Sequence, residues 1–145
     1  MTVEERTREV HPLTLFAPEG ARLLMLGSFP PPRERWRMDF FYPNFQNDMW
    51  RIFGLVFFGD KSHFLTDDGR AFREVELRRF LTERGIAIWD TAMEVSRLQG
   101  NASDKFLEVL RPIDLRQTLA LLPSCRAIAV TGQKALDTLL TLVSA

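Results

Sequence analysis

Cysteine is almost absent from this sequence of 145 residues, in which Cys125 is the single example. One thiol cannot form an internal disulfide, and it cannot supply a four-cysteine metal or iron–sulfur site. Net charge is absent as well, because 19 basic residues, mostly arginine, face 19 acidic ones. This balance excludes a charge-driven binder of the histone kind. The lone cysteine favours a reducing setting, so we expect the protein to be cytoplasmic.

Long hydrophobic runs are also missing. No stretch approaches the roughly 18 apolar residues of a membrane span, and the charged start MTVEERTREV lacks the apolar core of a signal peptide. Hydrophobic residues nevertheless make up 46% of the chain and charged residues 26%, which is typical of a folded protein. At this length we expect one domain, residues 1–145, with an irregular lead-in over residues 1–20.

Three short runs of consecutive apolar residues predict strands that are buried on both faces of a parallel sheet. The runs cover residues 23–26, 86–89 and 127–130. Between and after them, apolar residues recur at helical spacing, and the expected helices cover residues 44–57, 71–84, 115–122 and a closing segment from about Gln133. Short strands separated by helices predict an α/β fold, a three-layer α/β/α sandwich.

Ligands of such folds bind at the carboxyl ends of the strands. This rule selects three loops, residues 27–50, 90–104 and 131–134. In the first loop, three consecutive prolines at 30–32 force a stiff, extended segment, and aromatic residues then stand beside amides and arginines. This mixture favours a flat ligand.

Three groups of residues follow the predicted strands in a specific order. The first contains Gly27-Ser28-Phe29-Pro30, the aromatic pair Phe41-Tyr42, and Asn47-Asp48-Met49-Trp50; the second contains GIAIWD at 85–90 and NASD at 101–104; the third is TGQKA at 131–135. Together they resemble the uracil-DNA glycosylase superfamily. The resemblance is closest to its branch of hypoxanthine- and uracil-DNA glycosylases, which is related to the mismatch-specific enzymes.

The resemblance implies a monofunctional DNA glycosylase of base-excision repair. Such an enzyme hydrolyses the bond between a deaminated base, uracil or hypoxanthine, and deoxyribose after the nucleotide has been flipped out of DNA. DNA containing that base is the expected partner, and no obligate protein partner, membrane, metal or cofactor is implied. The implied catalytic residues are Asn47 and Asp90. The implied base-binding residues are Gly27, Ser28, Phe29, Phe41, Tyr42 and Thr131, and those for the DNA backbone are Arg33, Arg35, Arg37, Gly132 and Lys134.

Each of these residues also has an ordinary structural explanation. Asn47 is also explained as a helix cap, and Asp90 as a cap for the turn at Thr91. Taken without the resemblance, the aromatic residues are better explained by core packing, and the arginines by a solvated loop. His11 and His63 are isolated along the chain, so neither is assigned any chemistry.

Two departures from the family pattern leave alternatives open. Thr131 stands where the hypoxanthine branch commonly has asparagine, so the preferred base is not assigned. The superfamily's fourth strand and its DNA-gripping loop are expected beyond Ala145, and we therefore expect a shortened chain rather than a degenerate relative. The alternatives to an enzyme are a non-catalytic α/β module that binds a nucleotide or nucleic acid, and a small-ligand domain whose Thr131-Gly132 turn holds an anion.

Overall fold

The computed structural model describes residues 8–97 and 107–144. Within these residues the chain forms two compact units, one from the residues up to 29 together with those from 84 onward, and one from residues 30–83. The strands are β1 (Arg8–Val10), β2 (Leu23–Gly27), β3 (Ile86–Asp90), β4 (Ala92–Arg97), β5 (Leu107–Pro112) and β6 (Ala127–Val130). The helices are α1 (Met49–Phe58), α2 (Glu74–Arg84), α3 (Leu115–Ala120) and α4 (Gln133–Val143), and a short 3₁₀ helix covers Arg33–Arg35.

The first unit contains the predicted parallel sheet. Its order is β3-β2-β6, and β2 pairs in parallel with both neighbours. All five residues of β3 are buried, as an unalternating apolar run requires in a sheet covered on both faces. The prediction of an α/β fold with three parallel strands is therefore confirmed.

A second sheet in the same unit was not predicted. It has three antiparallel strands in the order β1-β4-β5, and β1 lies inside the stretch that was expected to be irregular. These strands mix charged and apolar residues, so none of them has the continuous apolar run that marks β2, β3 and β6. Phe29 packs on this sheet in a buried cluster with Ala92, Val95 and Leu107.

The second unit is held together by aromatic side chains of α1, α2 and the segment between them. Phe80 of α2 lies against Phe53, Phe57 and Phe64, with ring centroids between 5.0 and 6.2 Å apart. Trp50 is fully buried at the start of α1. The apolar periodicity predicted this helix, but the face that it indicated was wrong. Ile52, Val56 and Phe57 of that face are exposed, and α1 buries Trp50 and Gly54 instead.

Two helices begin later than predicted. The first was expected from Asn44 and begins at Met49, because Asn44 forms an isolated antiparallel bridge with Trp36 instead. The second was expected from Ala71 and begins at Glu74, since Phe72 bridges Leu65. In both places a bridge to a residue of the preceding loop takes the backbone that the apolar pattern had assigned to a helix.

Among the glycines described in the second unit, Gly54 lies closest to another part of the backbone. A side chain there would lie far inside van der Waals contact with the carbonyl oxygen of Asp60, which is backbone and cannot rotate away. We expect Gly54→Ala to lower the free energy of unfolding by about 1 to 3 kcal/mol, as overpacking does elsewhere. Val56→Ala on the same helix, 68% exposed, should change it little. Urea unfolding measures both, and equal stability of the two variants would contradict the prediction.

Candidate active site

The carboxyl ends of the three parallel strands bring together residues that are far apart in sequence. Gly27 at the end of β2 is the register partner of Asp90 at the end of β3, and the Thr91 N–H donates to the Gly27 carbonyl at 2.8 Å. On the other side of β2, the Thr131 N–H donates to the Leu26 carbonyl at 2.9 Å. The register therefore places Gly27, Asp90 and Thr131 at one edge of the sheet.

Asp90 carries a buried carboxylate at this edge. Its Oδ2 lies 2.7 Å from Nε2 of His11, whose side chain is fully buried. The second oxygen, Oδ1, has no hydrogen-bond partner among residues 8–97 and 107–144. One oxygen of this buried carboxylate is held by His11, so the other is suited to accept a hydrogen bond from a donor group of a ligand.

Ser28 and Phe29 follow β2 and are both buried. The Ser28 carbonyl accepts the Ala92 N–H at 3.2 Å, so this backbone is joined to the start of β4. Phe29 meets the His11 ring edge-on at a centroid distance of 5.2 Å. Phe29 therefore occupies the core position that was its alternative explanation.

Thr131 and Gly132 form the turn between β6 and α4. The Thr131 hydroxyl donates to the Leu26 carbonyl at 3.3 Å, and Gly132 has φ 98°, which favours glycine. The N-terminus of α4 has no side-chain cap. Lys134 lies in the first turn of that helix and is half-buried.

Asn47 lies in the second unit, just before α1. Its Oδ1 accepts the Met49 N–H at 2.8 Å, and its carbonyl accepts from the Arg51 guanidinium at 3.1 Å. Asn47 precedes the N-cap residue Asp48, whose side chain makes no cap bond, and it holds the first backbone N–H of α1. Its alternative explanation as a residue that holds the helix start is therefore met in this local form. The same contact fixes the orientation of the carboxamide, and it leaves one Oδ1 lone pair and the amide N–H₂ for a ligand or water.

The aromatic pair in the same loop is partly structural. Phe41 is buried, and its carbonyl accepts the indole N–H of Trp50 at 2.9 Å. Tyr42 is half-buried, packs edge-on against Trp50 at 5.6 Å, and has φ 50°. A left-handed backbone at a tyrosine costs about 1 to 2 kcal/mol, and such strained residues cluster at functional sites.

The three loop arginines differ in their contacts. Arg33 pairs with Asp39 at 2.9 Å and stacks over Trp36, while the Arg37 guanidinium donates to the Trp36 carbonyl at 3.1 Å. Arg35 is exposed, and its side chain has no ion pair or hydrogen bond with any residue that the structure describes.

Sequence reasoning missed His11. It lies 79 residues from Asp90, and β1 carries it to the site through pairing with β4. Only a predicted β1–β4 pairing would have pointed to it. The NASD segment at 101–104 lies outside the described residues.

The described residues contain neither a cluster of metal ligands nor a helix that could span a membrane. Over residues 8–97 and 107–144, no three His, Cys, Asp or Glu side chains converge in a way that could hold a metal ion. In the same ranges, every helix is too short or too polar to cross a membrane.

Comparison with known proteins shows a shared fold. The chain is similar to a solution NMR structure of a "putative Uracil DNA glycosylase" from Methanosarcina acetivorans, with a TM-score of 0.68 and 22% sequence identity. The match covers 95% of this chain and 78% of that chain. No protein-family model and no curated protein matches the sequence.

Proposed function

We propose that this protein is a DNA glycosylase of the uracil-DNA glycosylase superfamily that removes a deaminated base, uracil or hypoxanthine, from DNA in the cytoplasm. The proposal rests on two supports of different kinds. The sequence carries the loop residues that resemble the hypoxanthine- and uracil-DNA glycosylase branch, and the fold is similar to that of the archaeal protein.

The observation that carries the proposal is the buried carboxylate of Asp90 at the carboxyl end of β3. A carboxylate offers only acceptors. Uracil presents a donor at N3 and hypoxanthine presents one at N1, whereas cytosine and adenine have acceptors at those ring positions. A buried acceptor therefore favours the deaminated bases, because the parent bases would leave it unpaired.

The reaction is hydrolysis of the N-glycosidic bond. That bond breaks with its electron pair going to the base, and the water oxygen bonds to C1′ of the sugar. One of the water's protons passes to the departing base through solvent, and the other stays on the new C1′ hydroxyl. The transition state carries positive charge on the sugar and negative charge on the base. Asn47 is assigned to hold the water, since its carboxamide is fixed by the Met49 N–H. The backbone N–H of Ser28 is assigned to the base carbonyl. That of Gly27 points into the parallel pairing of β2 with β3, so Gly27 is left as the small residue at the edge of the pocket.

A glycosylase assay tests the proposal directly. The purified chain is incubated with oligonucleotides containing uracil, hypoxanthine or no damage, then treated with alkali, which cuts at abasic sites. We expect cleavage only at a deaminated base. A chain that is folded by circular dichroism and leaves all three oligonucleotides intact would overturn the proposal.

A substitution of Arg35 tests DNA binding independently of base excision. Its guanidinium is exposed and unengaged in the described part of the chain, so it is suited to a phosphate. We expect Arg35→Ala to weaken binding to DNA of any sequence and to reduce the salt slope of log K by about 0.9, the value of one phosphate contact on duplex DNA. Fluorescence anisotropy across a salt series measures both quantities.

Arg70→Ala is the matched control, because Arg70 is another exposed arginine of the second unit, outside the 27–50 loop. It should leave the slope unchanged. An unchanged slope for Arg35→Ala would remove Arg35 from the DNA contact. Salt-dependent DNA binding together with no product in the cleavage assay would instead support the non-catalytic binding module.

A further inference from the structure

His11 has both ring nitrogens engaged. The backbone N–H of Leu13 donates to Nδ1 at 3.1 Å, and Nε2 lies 2.7 Å from Asp90 Oδ2. Because Nδ1 accepts a hydrogen bond, it carries no proton, and the neutral ring must carry its proton on Nε2. His11 is therefore the donor and Asp90 Oδ2 the acceptor.

This arrangement prevents His11 from acting as a base toward a ligand. A histidine that takes a proton needs a free ring nitrogen within reach of the reacting group. Here one nitrogen is held by backbone and the other by Asp90, and the side chain is fully buried. Its only route to a ligand is through Asp90.

The ring is fixed by its surroundings as well as by its hydrogen bonds. It packs against the Trp89 ring at a centroid distance of 4.6 Å and meets Phe29 edge-on. The His11 N–H also donates to the Met93 carbonyl at 2.7 Å, which ties the backbone beside β1 to β4. Such a fixed donor also restricts the Asp90 carboxylate, because rotation of that carboxylate would break the buried hydrogen bond from His11 Nε2.

We propose that His11 is a positioning residue that holds Asp90 Oδ2 and thereby presents Oδ1 as a fixed acceptor for the ring N–H of a deaminated base. The proposal rests on the proposed glycosylase function. The new element is that the choice of a base with a ring N–H depends on His11, a residue of the N-terminal segment that does not itself contact the base. It also explains why a polar ring is buried among aromatic side chains at this edge of the sheet.

The test compares two substitutions at the same position. His11→Phe keeps a ring between Trp89 and Phe29 and removes the donor, whereas His11→Gln restores an N–H donor near the place of Nε2. We expect His11→Phe to lower kcat/KM on uracil-containing DNA by about 10- to 100-fold, which is what loss of one buried charge-assisted hydrogen bond allows. We expect log(kcat/KM) of His11→Gln to lie at least halfway from the His11→Phe value to the wild-type value.

His63→Phe is the matched control, since His63 is the other histidine of the sequence and stacks on Phe58 in the second unit. It should keep the wild-type kcat/KM. A lost hydrogen bond to a merely structural aspartate would alter stability alone, so thermal unfolding is measured for every variant. Wild-type kcat/KM for a folded His11→Phe, or equal losses for the phenylalanine and glutamine variants, would overturn the proposal.

Nitrogen-15 NMR of the imidazole separates this inference from the proposed function. Wild-type His11 should show a protonated, slowly exchanging Nε2 and an unprotonated Nδ1, and Asp90→Ala should speed the exchange of that proton at least tenfold. A proton on Nδ1 would overturn the positioning role even in an active enzyme. The predicted spectrum in a chain without glycosylase activity would overturn the proposed function and base selection while leaving the hydrogen bond established.

Discussion

Asn47→Ala is expected to lower kcat on uracil-containing DNA by about 10²- to 10³-fold, the usual cost of removing one group that positions water or stabilises developing charge. The reason lies in the contact with Met49. That hydrogen bond holds Oδ1 in one orientation, so the remaining lone pair and the N–H₂ are fixed before the substrate arrives. Single-turnover cleavage of a uracil oligonucleotide measures the rate.

The same substitution removes the acceptor of the first backbone N–H of α1, so stability must be followed separately. Without Asn47 Oδ1 the Met49 N–H loses its acceptor, which should lower the free energy of unfolding by about 1 kcal/mol. This loss is too small to unfold most domains. Asn44→Ala is the matched control, because it removes a carboxamide of the same loop whose side chain has no hydrogen bond within the described residues. It should cleave as fast as the wild type. If Asn47→Ala cleaved as fast as the wild type, Asn47 would only hold the backbone at the start of α1 and would not position water.

Asp90→Asn is expected to reverse the hydrogen-bonding sense of the site. The His11 Nε2–H must still find an acceptor, so the new amide should turn its oxygen toward His11 and its N–H₂ away from it. A donor then meets the N–H of uracil or hypoxanthine. We expect kcat/KM on uracil to fall by about 10²-fold, since two donors are left unpaired, each costing about 1 to 3 kcal/mol.

Discrimination between bases is the sharper measurement for Asp90→Asn. The preference for uracil over cytosine should shrink at least tenfold, because the amide donor suits the ring acceptor of cytosine. Asp114→Asn is the control: Asp114 caps α3 by accepting the Gln117 N–H at 3.0 Å, and asparagine caps equally well. An unchanged uracil preference in folded Asp90→Asn would show that Asp90 does not contact the base.

The sequence predicted the parts of the fold that depend on local pattern. Strands β2, β3 and β6 end within one residue of their predicted ends. The antiparallel sheet was missed. Its strands are short and carry charged residues, which are exposed in β5, exposed or half-buried in β1 and at least half-buried in β4. They therefore have neither the unbroken apolar run of a buried strand nor a helical period.

The candidate site also has residues that the sequence predicted and one that it missed. The rule that ligands bind at the carboxyl ends of parallel strands predicted that Gly27, Asp90 and Thr131 would share one edge, and the register confirms their proximity. No rule of this kind exists for an N-terminal histidine. His11 reaches Asp90 through pairing of β1 with β4, which depends on contacts across more than 80 residues of sequence.

By itself, the sequence determined the α/β class, the three parallel strands and the edge at which their polar ends meet, because an unbroken apolar run has to be buried on both faces wherever it occurs. Only the tertiary structure decided what those polar residues do. It placed Phe29 in the core, joined the Asn47 carboxamide to the first N–H of α1 and brought His11 into hydrogen bonding with Asp90. A side chain's hydrogen bonds depend on neighbours brought by distant parts of the chain, and local pattern carries no record of them.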